Sequence, residues 1–325
     1  MTTYKELFGK AVKYLSTDPT DDIEGQIWYN STSGTFKTNV NIGAAWSSGG
    51  NLSTATARIA GVGTQTATVA FGGGPPTTAA TENYNGTSWT TSGSLATART
   101  GMAGAGIQTA ALGFGGDLTP GFTGATEEYN GSTWTAGGSL GTGRYLMGGC
   151  GTQTTGLGFA GYFTPPLTRS NATEEYNGTS WTAGGNMNFG RYGVAAAGTQ
   201  TAAVGFGGDV AAPPAPAYGV QTELYDGTSW TTSGNLNTGR AYIAGAGTQT
   251  AGLAFGGSPT TGATELFNGT SWSSSPSSLA TARWSLGGAG TQAVAIAFGG
   301  ATPTITSATE EWNDPTLATK TITTS

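Results

Sequence analysis

Apolar residues along this chain occur in short runs, and segments rich in Gly, Ser, Thr and Asn separate one run from the next. A transmembrane helix needs roughly 18 consecutive apolar residues, and no run reaches that length, so no membrane insertion is predicted. Short apolar runs that are bounded by turn residues are typical of β-strands. The pattern therefore predicts an all-β chain.

One tryptophan context recurs six times in forms such as Thr-Ser-Trp-Thr-Thr-Ser-Gly, and successive copies lie 42 to 49 residues apart. This period matches the four-stranded blades of a β-propeller, which span about 40–50 residues. The recurring residues are Trp46, Trp89, Trp134, Trp181, Trp230 and Trp272.

Each repeat predicts four strands, here named a to d. Strand a follows an arginine and is rich in Gly and Ala, which suits the crowded centre of a propeller, and a Thr-Gln-Thr-type turn leads into strand b. Strand b ends in Phe-Gly-Gly, a variable b–c loop precedes strand c (Thr-Glu-x-Tyr), and Asn-Gly leads into strand d with its tryptophan. Asn-Gly is a strong hairpin signal because both residues tolerate positive φ. We expect the recurring aromatics to form the core between blades.

The order of Arg, inner strand, Phe-Gly-Gly, Glu-x-Tyr and Trp resembles the kelch repeat over residues from about 41 to 315. The resemblance implies an all-β fold, a six-bladed kelch-like β-propeller with a short N-terminal extension. We predict an N-terminal anchoring or leader segment at 1–40 and the propeller at 41–325. A strand at 42–49 would complete the sixth blade and close the ring; the alternative is that segment 316–325 does so, or joins it.

The N-terminal segment lies outside the repeats. Residues Tyr4 to Leu15 predict a short amphipathic helix, weakened by Gly9. The stretch Glu24 to Lys37 resembles a phrase common in fibre and virion proteins of tailed phages, where it forms a hairpin, and with these repeats the chain resembles proteins of marine bacteriophages. The resemblance implies a location in the virion and docking to other virion proteins through this segment. The first residues lack the apolar core of a signal peptide, so synthesis in the host cytoplasm without one is expected.

The b–c and d–a loops share one face of such a fold, and the sequence varies most in the b–c loops, where binding specificity is usually placed. Six arginines precede the a strands and are expected to ring the channel mouth. In kelch proteins that bind acidic peptides, arginines in this register line the pocket, which implies an anionic ligand. These arginines are Arg58, Arg99, Arg144, Arg191, Arg240 and Arg283.

Aromatic residues accompany the arginines and are candidates for stacking on sugar rings, or for plugging the channel. They are Tyr145, Tyr192, Tyr242 and Trp284, together with Tyr162 and Phe163 in the third b–c loop. The alternative for the arginines is structural, because glutamates recur with equal regularity and predict ion pairs. These are Glu82, Glu127, Glu174, Glu223, Glu265 and Glu310.

The composition restricts the chemistry. The chain has no histidine and one cysteine, which excludes Cys/His zinc sites, an intrachain disulfide, catalytic triads and the histidine-ligated copper of galactose oxidases. Paired carboxylates such as Glu127 and Glu128 point to opposite faces of a strand. No cofactor or metal is therefore expected, and the net charge of −6 without a basic run argues against nucleic acid.

These observations predict a non-enzymatic phage virion protein that displays its propeller to bind a host receptor, glycan or protein. The alternatives are a capsid or tail decoration protein with a purely structural role, and, more weakly, a glycan-active hydrolase. Whether the chain forms a homo-oligomer is left open by the sequence.

Overall fold

The secondary structure of this chain consists of β-strands wherever the structure describes it. A computed structural model describes residues 12–19, 26–40, 43–163, 168–210, 218–314 and 318–321, and within these ranges it contains strands and no helix. The predicted all-β class is confirmed. Two compact units are present, one formed by residues 1–45 with 313–325 and the other by Trp46–Trp312. The predicted division lay at residue 40 and left the C-terminal residues with the repeats.

The repeat unit contains six four-stranded sheets among its described residues, numbered here sheets 1 to 6, and neighbouring strands in sheets 1 to 5 are antiparallel. In the order a, b, c, d, the first three sheets are Ala60–Thr64, Ala67–Phe71, Thr81–Tyr84 and Trp89–Thr91; Ala103–Ile107, Ala110–Phe114, Thr126–Tyr129 and Trp134–Gly137; and Gly148–Gly151, Gly156–Phe159, Thr173–Tyr176 and Trp181–Ala183. The other three are Ala195–Thr199, Ala202–Phe206, Thr222–Tyr225 and Trp230–Thr232; Ala244–Thr248, Ala251–Phe255, Thr264–Phe267 and Trp272–Ser274; and Gly287–Gly290, Val294–Phe298, Thr309–Asn313 and Ala45–Ser48.

Short two-stranded sheets supplement these on the side of the b–c loops. They pair Tyr162–Phe163 with Thr168–Arg169, Arg191–Tyr192 with Asp209–Val210, and Ala301–Thr302 with Thr304–Ile305. Strand a of each large sheet contacts strand a of the sheets before and after it, and strand a of sheet 6 contacts strand a of sheet 1. Sheets arranged in this way are consistent with a propeller-like fold.

The core lies between neighbouring sheets and is aromatic. Phe71 of sheet 1 meets Trp134 of sheet 2 with ring centroids 4.8 Å apart, and Phe298 of sheet 6 meets Trp89 of sheet 1 at 5.0 Å. The same Phe ring requires a small residue on the next strand a, because a Cβ at Gly104 would lie 2.9 Å from Phe71. The Gly and Ala content of strand a and the Phe of strand b are therefore two sides of one packing arrangement.

The constant Thr-Gln-Thr turns have a structural cause. The amide of Gln108 in sheet 2 donates to the carbonyl oxygens of Thr68 (3.0 Å) and Tyr84 (2.6 Å) in sheet 1. Equivalent glutamines join each further pair of consecutive sheets. The constancy of this face follows from the need to satisfy these carbonyl groups.

The two segments that the sequence offered for closing the ring have different partners. Strand Ala45–Ser48 is the outermost strand of sheet 6. Trp46 donates its indole N–H to Thr264 Oγ1 over 2.9 Å, and its ring packs 5.0 Å from that of Phe255. Strand Ala318–Thr321 instead pairs antiparallel with Thr35–Val40.

The terminal unit is a sheet of its own, in the order Lys13–Leu15, Ile27–Asn30, Thr35–Val40 and Ala318–Thr321. Its centre is an antiparallel hairpin, and Lys13–Leu15 runs parallel to the first hairpin strand. The helix predicted from Tyr4 to Leu15 is wrong at its C-terminal end, where Lys13–Leu15 form a strand, and residues 1–11 lie outside the described residues.

Asp18 forms hydrogen bonds with side chains of both strands of this hairpin. Its carboxylate accepts hydrogen bonds from the fully buried Trp28 indole (3.1 Å), from Asn30 (2.7 Å) and from the Lys37 ammonium group (2.8 Å). These bonds, that of Lys37 foremost, lower the pKa of Asp18. The segment that the sequence singled out as a hairpin is thus cross-linked by polar side chains.

Candidate functional site

Six residues form a cycle of backbone hydrogen bonds at the start of the a strands. Each lies two residues before its strand a, and its N–H donates to the carbonyl of the residue before it in the cycle over 2.7 to 2.9 Å. All six have positive φ, between 51° and 64°, which only glycine adopts without cost. The members are Arg58, Gly101, Leu146, Gly193, Tyr242 and Ser285.

A cavity of about 140 Å³ lies within this cycle, and the cycle residues line it together with the first residues of the a strands. Its wall below the cycle is mainly Gly and Ala, as at Gly61 and Gly104. Leu146 and Tyr242 supply larger side chains to the lining, and Arg58 supplies the charge. We call the cycle and the residues around it the mouth.

Five of the six predicted arginines are buried and do not line this cavity. Arg99 is fully buried; its Nη1 donates to the carbonyls of Gly115 (3.0 Å) and Ala125 (2.7 Å), and its Nη2 to Glu127 (2.6 Å). The other four pairs, with N–O distances of 2.7 to 3.1 Å, are Arg144–Glu174, Arg191–Glu223, Arg240–Glu265 and Arg283–Glu310.

The surroundings of these arginines decide their role. Burial lowers the pKa of each guanidinium, that of Arg191 to about 10, although the glutamate opposes the shift. A ligand at the mouth has no access to a fully buried guanidinium group. The sequence left two roles open for the arginines, ligand binding and structural ion pairing. The surroundings of these five arginines match the structural role.

Arg58 does not belong to this buried series and is the one arginine that lines the mouth, where the sequence analysis expected all six. It precedes Phe71 by 13 residues, whereas Arg99 precedes Phe114 by 15, as do the other four their phenylalanines. Thr56 occupies the place of the buried arginine in sheet 1, and Arg58 is a half-buried member of the mouth. It forms no ion pair within the described part of the chain. The shorter spacing was the sequence signal for this difference.

Four aromatic side chains from four different repeats follow one another beside the mouth. Tyr162 and Tyr192 have ring centroids 4.7 Å apart, Tyr192 and Tyr242 5.9 Å, and Tyr242 and Trp284 5.5 Å. All four are half-buried. We call this row the aromatic arc. It unites four of the six aromatic residues that the sequence proposed for the site.

The remaining two aromatic candidates lie next to the arc. Tyr145 stacks on Phe122 of the second b–c loop, with centroids 5.3 Å apart, and its backbone pairs with that of Tyr162. Burial foremost raises the pKa of Tyr145, while the charge of Arg58 lowers it. Phe163 is half-buried in the short strand that begins with Tyr162.

An ion pair that the sequence analysis did not identify supports the arc. Arg169 pairs with Asp209 over 2.9 Å and lies 5.4 Å above the centre of the Tyr192 ring. Asp209 also accepts a hydrogen bond from the Tyr192 hydroxyl (2.9 Å), and burial and this bond raise the pKa of that tyrosine. The available signal was that Arg169 is the one arginine of the seven that does not lie shortly before a strand a.

Parts of the third and fourth b–c loops, residues 164–167 and 211–217, lie outside the described residues. Within the described ranges, no cluster of His, Cys, Asp and Glu could hold a metal ion, and no helix is long and apolar enough to cross a membrane. Comparison with protein-family models and with curated proteins finds no match for the chain. The geometry of the mouth is therefore the basis for assigning a binding function to this chain.

Proposed function

We propose that the chain is a non-enzymatic bacteriophage virion protein and that its repeats form a six-bladed kelch-like β-propeller which binds a host-surface glycan at the mouth. Three observations support the ring: the a-strand contacts, the Gln contacts and the Phe–Trp contacts each run through sheets 1 to 6 and return to sheet 1. Closure of this kind removes the exposed sheet edges.

The observation that carries the binding proposal is the aromatic arc. Tyrosine and tryptophan offer a flat apolar ring with a polar tip, which suits the alternating C–H faces and hydroxyl groups of a sugar. Arc members are half-buried, so their rings are held in place while part of each remains open to a ligand. A row of rings from four repeats offers a surface that extends beyond one sugar ring.

The backbone at the mouth adds support. Arg58 and Tyr242 adopt the left-handed conformation, with φ of 52° and 51°. Non-glycine residues in this region cost of order 1–3 kcal/mol each, and such residues cluster at functional sites. Glycine stands at the equivalent positions 101 and 193, so the fold itself does not require the larger side chains.

The charge of Arg58 indicates the ligand class. It has no acidic partner among the described residues, and its guanidinium fork suits a carboxylate or phosphate. We therefore propose an acidic glycan, whose charged group pairs with Arg58 and whose sugar rings lie on the aromatic arc. The alternative ligand is a host protein whose exposed carboxylates pair with Arg58.

The location in a virion rests on the resemblance of residues Glu24 to Lys37 to phage fibre and virion proteins. The hairpin Ile27–Asn30 and Thr35–Val40 agrees with the hairpin that this resemblance implies. In the proposal, the terminal unit docks to other virion proteins and the propeller is displayed on the particle surface. A purely structural decoration protein is favoured by one observation, the use of five arginines in internal ion pairs.

A glycan array with the purified full chain tests the binding proposal. We expect binding to acidic glycans, and a loss of at least tenfold in affinity for Trp284→Ala and for Arg58→Ala. Ile107→Thr is the matched control, because Ile107 is exposed at the end of strand a and other repeats carry Thr there. Binding that is absent, or equally strong in all variants, would contradict the proposal, and antibody labelling of intact particles would then test the decoration role.

A further inference from the structure

Sheet 1 lacks the buried arginine that the other five sheets contain. Thr56 stands 15 residues before Phe71, the place that Arg99 holds before Phe114 in sheet 2. Thr56 is 7% exposed, and its hydroxyl forms no hydrogen bond with any residue that the structure describes. The side chain that replaces the arginine is too short to reach the partners that an arginine would have.

Those partners are nevertheless present. Gly72, Ala80 and Glu82 occupy in sheet 1 the places of Gly115, Ala125 and Glu127, the three groups that bind Arg99 in sheet 2. The acceptor groups available in sheet 1 are therefore Gly72 O, Ala80 O and the carboxylate of Glu82. The hydrogen bond from Gly72 N to Ala80 O (3.0 Å) repeats that from Gly115 N to Ala125 O (3.1 Å).

The carboxylate is also held as in the other repeats. Glu82 Oε2 accepts hydrogen bonds from the Ser53 N–H (2.9 Å) and hydroxyl (2.6 Å), as Glu127 Oε2 accepts one from the Ala96 N–H (2.7 Å). Its other oxygen, Oε1, accepts no hydrogen bond and pairs with no cation among the described residues. Glu82 is 8% exposed. A buried carboxylate without a counter-charge is unfavourable, so the site favours a cation.

A cavity of about 130 Å³ occupies the position of the missing side chain. Thr54, Thr56, Pro75, Pro76 and Glu82 are among its lining residues. The space exceeds that of several waters at about 30 Å³ each, and it approaches the roughly 150 Å³ that accommodates benzene. Thr54, Pro75 and Pro76 are exposed, so the rim of the cavity lies at the protein surface.

We propose that this cavity binds a guanidinium group supplied from outside the chain. One guanidinium nitrogen would bridge Gly72 O and Ala80 O, and a second would pair with Glu82 Oε1. Four of the internal arginines make this set of contacts, namely Arg99, Arg144, Arg191 and Arg240. A planar fork of N–H donors matches this set of acceptors, whereas an ammonium ion is a point charge that does not. The source is either an arginine side chain of a partner protein or a small guanidinium compound. This site shares the lining residue Ile59 with the cavity at the mouth, but Arg58 and the aromatic arc do not line it, and it does not depend on the proposed glycan binding.

Thermal unfolding of the full chain with methylguanidinium chloride as the probe tests the proposal. At constant ionic strength we expect a rise in Tm of about 3 °C when the probe is at ten times its Kd. Methylammonium chloride at the same concentration is the control and should have little effect. Equal responses to the two salts, or no response to methylguanidinium, would overturn the proposal.

Three variants locate the effect. Thr56→Arg fills the cavity from within the chain and should raise the Tm and abolish the response to the probe. Glu82→Gln preserves the shape and removes the charge, so it should weaken probe binding at least tenfold even if Thr56→Arg does not fold. Arg144→Thr creates the same cavity in sheet 3 and should lower the Tm and add a second response. A response that persists unchanged in Thr56→Arg and Glu82→Gln would refute this site.

The source of the guanidinium group is distinguished with a capped Gly-Arg-Gly peptide. Binding of the peptide at least tenfold tighter than methylguanidinium identifies an arginine of a partner protein as the occupant. Binding of methylguanidinium with exclusion of the peptide identifies a small compound. In either outcome, Glu82→Gln should abolish the difference in affinity between the peptide and methylguanidinium.

Discussion

Gln65 donates its side-chain amide to the carbonyl oxygen of Trp312 over 2.7 Å, although the two residues are 247 positions apart. A second bond from the same amide reaches Ala295 over 3.1 Å. Gln153 makes the same pair of contacts between consecutive repeats, to Ala111 (3.0 Å) and Tyr129 (2.7 Å). The contact that joins neighbouring repeats elsewhere thus also joins the first repeat to the last.

Gln65→Ala should lower the free energy of unfolding by about 1–3 kcal/mol, because it leaves buried carbonyl groups without a donor. Gln153→Ala removes the equivalent contact within the chain and should have a similar effect. Urea denaturation of both variants measures the difference. If Gln153→Ala lowers the free energy of unfolding as expected and Gln65→Ala leaves it almost unchanged, the Gln65 contact does not stabilise the junction between the first and last repeats.

Arg144→Ala should destabilise the protein by about 3–5 kcal/mol, since it leaves the carboxylate of Glu174 buried without its counter-charge. Arg58→Ala should change stability by no more than about 0.5 kcal/mol, because Arg58 is half-buried and unpaired among the described residues. Chemical denaturation of the two variants provides the comparison. Equal losses would contradict the separation of Arg58 from the structural series.

Tyr84 and Tyr176 should make stability fall at alkaline pH. Burial foremost, and hydrogen bonds to Glu311 (2.5 Å) and Glu128 (2.6 Å), raise the pKa of each tyrosine from 10.0 to about 12. A raised pKa in the folded state means that this stabilisation is complete below pH 10 and is lost as the pH rises toward 12.

The ultraviolet absorbance of tyrosinate, followed against pH in the native protein, measures this ionisation. Tyr84→Phe and Tyr176→Phe should each remove one group that ionises near pH 12, so the free energy of unfolding should fall less steeply between pH 10 and 12. Titration of all tyrosines near the ordinary value in the folded protein would show that the prediction is wrong.

Cys150 should be inert in the folded protein. The thiol is buried in strand a of sheet 3, and burial raises its pKa to about 12. The thiolate is the reactive species, so a thiol reagent at mildly alkaline pH should modify no cysteine in the native state and one per chain after denaturation. Rapid modification of the native protein would contradict the buried position, and Cys150→Ser supplies the blank.

Much of the fold could be predicted from local patterns. The strands b, c and d are bounded by Phe-Gly-Gly, Thr-Glu-x-Tyr and the tryptophan, and these marks act within one repeat. The recurrence of Arg with Glu also predicted ion pairs as one of two roles. The choice between the roles required burial, because exposure of Arg99 depends on the loop Gly115 to Ala125 folding over it.

The sequence by itself determined the strands, the repeat and the absence of histidine chemistry, because periodicity, turn residues and composition are local properties. Only the tertiary structure decided that Ala318–Thr321 pairs with Thr35–Val40, and that Tyr162, Tyr192, Tyr242 and Trp284 form one arc. It also placed Arg58 alone among the predicted arginines at the mouth and left Glu82 facing a cavity. The strand pairing and the arc join residues that are distant in sequence, and packing brings them together where no local signal exists.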